Sequence, residues 1–178
     1  MDIHFAEWGG AERPFRLNFG LVLDLERACG RGIGAITLDL FAGRWGIKDT
    51  FETIRLGLEG GGMRPEEARA LCKDHFDHKP YFQAAELALA IITAAMSGVE
   101  KPGEDEGGDP EEPISFGSVA QICTVFHMSP QDVREMRYAD FVNVVKGYRA
   151  AGKKVAEPMS EEEFDAMLAR HEPSALKG

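Results

Sequence analysis

The chain has 178 residues, of which 44% are apolar and 28% charged, and its net charge is −10. That composition supplies a core and excludes wholesale disorder. The acidic balance disfavours general binding to phosphate backbones and to anionic membranes. No apolar run approaches the roughly 20 residues that span a bilayer.

The opening MDIHFAEWGG lacks the basic-then-apolar layout of a secretory signal, which predicts a cytoplasmic protein. Ile3, Phe5 and Trp8 alternate with polar residues, and Phe15 and Leu17 alternate again after Gly9-Gly10. This predicts a β-hairpin with strands near 2–8 and 12–18. The period then turns helical. Leu21, Leu25 and Ala28 share a face, and Gly30 and Gly32 stop that helix. A short helix from about 33 to 43 carries Ile36, Leu40 and Phe41. Asp49 to Glu52 resembles a capping box opening a third helix with Phe51, Ile54 and Leu58. Gly60-Gly61-Gly62 marks a hinge or a tight corner. Pro65, Glu66 and Glu67 suit the start of a fourth helix, running to about Phe76. Pro80 opens a fifth that ends at Gly98, and its nearly all-round apolar character predicts a central position.

Residues 99–113 hold seven acidic residues among prolines and glycines, which predicts a flexible acidic linker. Beyond it, Val119, Ile122, Cys123 and Phe126 form one helical face, and Ser129-Pro130 opens a short helix. Phe141, Val144, Val145 and Tyr148 mark a helix from about 138 to 151, and Gly152 to Pro158 reads as a loop. Ser160 to Glu163 is a capping box for a last helix with Phe164 and Leu168, before a frayed end. The expected fold class is mainly α (α+β): a hairpin and about five helices over 1–98, the linker 99–113, a small helical module over 114–172 and a tail over 173–178.

Chemistry is sparse in this pattern. Cys29, Cys72 and Cys123 are widely spaced and read as reduced thiols. Cys72, His75 and His78 lie three apart beside Asp74 and Asp77, the best metal-like grouping, but a helix ending before Pro80 explains the histidines through its dipole. No metal or cofactor is expected. The glycine triplet is not a phosphate loop, since no Lys-Ser/Thr pair follows. No nucleophile motif is present, so the expectation is a non-enzymatic protein. Residues 118–137 are laid out as a helix-turn-helix with Gln131, Arg134 and Arg137 on the second helix, but its charges nearly cancel. A DNA-binding regulator or packaging factor is therefore an alternative, with a helical corner packed near Phe141 as the plainer reading.

The run Phe51 to Gly62, with Ile54-Arg-Leu-Gly-Leu-Glu-Gly-Gly-Gly62 at its heart, then Pro65 to Ala68 and the Ala-rich helix to Gly98, resembles a gene-transfer-agent family of small tail proteins. That family is related to the tail assembly chaperones of long-tailed phages, and some members carry the label tail tube protein. Val119 to Phe126, Ser129-Pro130 and Phe141 to Arg149 resemble a second module of the same tail clusters. The resemblance implies an assembly chaperone that binds the tape-measure protein, recruits tail-tube subunits and is missing from the finished particle. The variant within the class is a structural tail component. Trp45, Tyr138 and Tyr148 are the expected partner-binding anchors, because interface hot spots favour Trp, Tyr and Arg.

Overall fold

A computed structural model describes residues 2–78, 80–99 and 111–155. The fold is mainly helical, an antiparallel hairpin followed by helices, as the sequence pattern implies. The hairpin pairs β1 (Ile3–Trp8) with β2 (Ala11–Arg16). Gly9 and Gly10 take φ of 60° and 78°, the positive values that a two-residue type I′ turn needs. Trp8 and Ala11 flank this turn and exchange ladder bonds, and bonded and non-bonded pairs alternate from there. Phe5 opposite Pro14 is then a non-bonded pair, which is why β2 tolerates a proline. By the same alternation, the carbonyls of Pro14 and Arg16 point away from β1.

Helix α1 (Phe19–Cys29) starts at Asn18, whose side-chain oxygen accepts from the Leu21 N–H at 2.9 Å, and stops at Gly30 with φ of 77°. Its buried face is Phe19, Val22, Leu25 and Glu26. Of the expected row, Leu25 is buried with Val22 alongside it and Leu21 packs on the core, while Ala28 is half-buried; Phe19 adds to this face by stacking on Phe141 at 3.6 Å. Helix α2 spans Ile33–Phe41 and α3 spans Ile47–Gly60. The capping box expected at Asp49 does not form. Gly46 is the N-cap, and Asp49 sits inside the first turn, buried and 3.9 Å from Arg31, while Glu52 pairs with Arg55 at 2.6 Å. Asp49 is drawn to Arg31 from outside the helix, and Glu52 to Arg55 one turn along it.

Helix α4 (Pro65–His78) buries Ala68, Cys72 and Phe76, and α5 (Tyr81–Met96) follows Pro80. Helix α3 packs against β2, α1, α4 and α5. Helix α5 packs against α3, α2 and both strands, so the central position expected for it is shared with α3. Helix α6 (Phe116–Val125) ends in a left-handed turn with His127 at φ of 52°. Helix α7 (Pro130–Glu135) carries the reciprocal Ser129–Asp132 capping box. Helix α8 (Tyr138–Val155) continues through Gly152-Lys-Lys-Val155, where a loop is expected.

Two compact units divide the chain, Met1–Val144 and Val145–Gly178. The first unit thus includes α6, α7 and the start of α8, beyond the expected boundary at 98. Most of the expected linker, the last helix from Ser160 and the tail lie outside the described residues.

The glycine run after Leu56 is a packing surface. A Cβ on Gly60 would lie 2.0 Å from the Arg16 carbonyl oxygen, and one on Gly61 would lie 2.0 Å from that of Pro14. Only glycine lets α3 end against the outward carbonyls of β2. Gly57 is also tight, at 3.3 Å from Ile91 and Phe15. Gly62, at φ of 101°, then turns the chain toward α4. The corner is close-packed, not a hinge. Gly60→Ala and Gly61→Ala should each destabilise by about 1–3 kcal/mol or more, because backbone must move. Gly147→Ala, where a Cβ meets nothing, should stabilise by about 0.5–1 kcal/mol. Urea unfolding of the three variants checks both signs.

Candidate functional site

The densest group of ionisable side chains gathers where α1, α2 and α3 meet. Glu26, 3% exposed, accepts the Ile33 N–H at 2.9 Å through one oxygen and the Ile114 N–H at 2.8 Å through the other. The carboxylate caps α2 and ties down a segment 88 residues away. Alongside, the Gly32 N–H donates to the Glu111 carbonyl at 3.0 Å. Arg31 binds Asp39 at 2.5 Å, and Arg44 binds the other Asp39 oxygen at 2.9 Å. Burial pushes the Glu26 carboxyl above its ordinary value, against the lowering effect of its two N–H donors. Burial, reinforced by Asp49, pushes the Cys29 thiol up to about 12. That is the opposite of nucleophile activation, so this network reads as structural.

The Cys72, His75 and His78 grouping does not converge. Cys72 lies in the core, with burial pushing its thiol up to about 12. The His75 ring stacks on Trp8 at 3.6 Å, and His78 Nδ1 lies 2.8 Å from the Asp74 carbonyl oxygen. Among the described residues no three His, Cys, Asp or Glu side chains form a metal-sized cluster. No helix among them is long and apolar enough to cross a membrane.

The helix-turn-helix segment is a corner on α1. Arg134 binds Asp24 at 2.8 Å and reaches the Gly20 carbonyl, and Arg137 donates to the Ser97 carbonyl at 3.1 Å. Gln131 donates to Glu135, and Val133 is fully buried. The two arginines that a DNA-reading helix would offer to phosphates are engaged at the surface by Asp24 and by backbone carbonyls of the same chain, which counts against that alternative.

The expected anchors lie apart along the chain and differ in exposure. Trp45, in the α2–α3 connection, and Tyr138, at the start of α8, are partly buried against the core. Burial and the nearby Glu26 push the Tyr138 phenol up to about 12. Tyr148 is 41% exposed.

Exposed apolar side chains also stand on α2, where the sequence reading passed over Leu38. Leu38 is 55% and Phe41 81% exposed. With the half-buried Gly34 and Thr37 they occupy i, i+3, i+4 and i+7, the stripe by which one helix packs on another. Ile47, 53% exposed, opens the next helix. Lys48 beside it is exposed, and its side chain has no ion pair among the described residues. The signal was present in IGAITLDLF, which is apolar on both sides. A helix apolar all round is normally covered all round, yet only one side of α2 is covered here.

The described residues define a small, mainly helical protein headed by a hairpin, with a structural polar network and exposed apolar surface. Residues 4–98 match the family model described as phage tail tube protein, GTA-gp10, and the chain belongs to that family. No curated protein and no solved structure matches it.

Two outcomes follow from the polar network. Glu26→Ala should cost about 1–3 kcal/mol by orphaning the buried Ile33 N–H and the part-buried Ile114 N–H. Because the folded carboxyl holds its proton more tightly than the unfolded one, the contribution of Glu26 to stability should fall as pH rises above the ordinary 4.5, read as the difference between wild type and Glu26→Gln. Glu26→Gln should lack that slope in urea titrations across the window. At pH 8, iodoacetamide should leave Cys29 and Cys72 unmodified in the folded protein and alkylate both in urea.

Proposed function

We propose that this protein works in the assembly or structure of a phage or gene-transfer-agent tail by binding other tail polypeptides, without bond chemistry of its own. The observation that carries this reading is the uncovered apolar face of α2, Leu38 and Phe41 with Ile47 beside it. A contiguous exposed apolar face on a small protein marks a protein contact. The family description, phage tail tube protein, favours a component that stays in the particle.

A second reading, an assembly chaperone, is supported by the architecture. A tube built by stacking sheets needs β-rich subunits, and among the described residues the sheet has two strands. In that reading residues 1–98 hold the helical tape-measure protein while residues 114–172 recruit tube subunits. A cytoplasmic location and absence from the finished particle belong to it. Trp45, Tyr138 and Tyr148 are secondary contacts in either reading, after Leu38 and Phe41.

Quantitative mass spectrometry of purified particles separates the two. A tube component is present in many copies, whereas a chaperone is absent. Co-expression should raise the soluble yield of the tape-measure protein several-fold if the chaperone reading holds. In either case Leu38→Ser with Phe41→Ser should leave the melting temperature within a few degrees, since both side chains are exposed, and should abolish particle formation. Normal particle yield from the double variant would remove α2 as the contact surface.

A further inference from the structure

We propose that the outer edge of β1 is a docking site for an extended strand of another polypeptide, one that alternates apolar residues and carries a lysine or arginine. The inference adds a second contact surface to the tail-binding reading and rests on it only for where the partner is found.

Three observations converge on this edge. First, the alternation set by the Gly9-Gly10 turn leaves the N–H and C=O groups of Ile3, Phe5 and Glu7 pointing away from β2. The sheet has only two strands, so these groups meet no strand among the described residues. Natural proteins guard such edges with lysine, proline, a bulge or a covering element. β1 is Ile-His-Phe-Ala-Glu-Trp and has no lysine or proline, and Ile3 is 38% and Phe5 59% exposed. The β2 edge, by contrast, is closed by Gly60 and Gly61.

Second, a groove of about 530 Å³ lies between β1 and α5, lined by His4, Leu89, Ala90, Thr93 and Ala94 among others. An added strand would put alternate side chains on opposite faces. One set would lie over the small and apolar residues of α5, and the other beside Ile3 and Phe5. Main-chain bonds supply affinity and the groove supplies selection, as in other strand-addition sites.

Third, the charges have one sign. Glu86 lines the groove and Glu7 lies on the strand; both are exposed, and neither has an ion pair among the described residues. Glu86 stands one turn beyond Gln83, which lines a pocket together with Glu7. A basic residue on the incoming strand would meet them. The β1 strand of a second copy has no Lys or Arg to offer, so the charge pattern favours a different polypeptide.

The test uses an array of immobilised eight-residue peptides probed with the full-length protein, its Phe5→Pro variant and its Glu7→Lys/Glu86→Lys variant. Proline at 5 removes an outward N–H and no ladder bond. Circular dichroism melts verify folding. If Phe5→Pro unfolds, backbone N-methylation of alternate residues in the captured peptides replaces it. The expected result is capture of alternating apolar peptides with Lys or Arg, weakened at least tenfold by Phe5→Pro or N-methylation. The charge variant should shift the preference to Asp or Glu. Isotope-edited NMR should place the shifts at Ile3, Phe5 and Glu7. Capture of no peptide class, or capture indifferent to both backbone changes, would overturn the proposal. Neither result touches the particle-composition measurement, so the tail reading stands or falls separately.

Discussion

Two glycines meeting two carbonyls hold the architecture together. Gly60 and Gly61 sit where any Cβ would strike the Arg16 and Pro14 oxygens, so α3 can end against the edge of β2 at a separation no other residue permits. Those oxygens are available because Pro14 lies in a non-bonded pair, which the Gly9-Gly10 turn dictates through the register. Turn chemistry at one end of the hairpin thus decides what the last turn of α3 can touch. Since α3 also packs on α1, α4 and α5, the position of most of the helical body follows from this contact.

The polar network plays the complementary part. Close-packed apolar faces tolerate small shifts, whereas Glu26 demands two particular N–H groups, those of Ile33 and Ile114. Losing either leaves a buried acceptor or donor unsatisfied. Arg31 and Asp39 join α2 to the loop before it, and Asp49 brings α3 alongside. The thiols at Cys29 and Cys72 are pushed up to about 12 by the burial this packing creates. The ionisable groups of this network specify a conformation.

What remains on the surface is uneven. The arginines of the α6–α7 corner are spent on Asp24 and backbone carbonyls, while α2 and β1 each leave an apolar face or edge open. One presents a helical stripe and the other a strand edge, so they would select partners of different secondary structure.

Much of the fold was legible locally. Period-2 alternation around Gly9-Gly10 marked the hairpin, and Ser129-Pro130, Pro65 and Gly30 marked helix ends, because turn and cap preferences act within a few residues. The run Leu56 to Gly62 was also legible as the most distinctive stretch, and its resemblance to tail proteins agrees with the family to which residues 4–98 belong. Its physical role was not, since the carbonyls that exclude a side chain come from β2, more than 40 residues earlier. Asp49 looked like a cap until Arg31 claimed it, and the partial burial of Trp45 and Tyr138 against the core was not legible either. Sequence by itself determined which segments coil, pleat and turn, because those choices depend on neighbours along the chain. Only the tertiary structure decided which glycine is tight, which carboxylate is buried and which apolar face stays open, because those depend on residues brought together from distant parts of the chain.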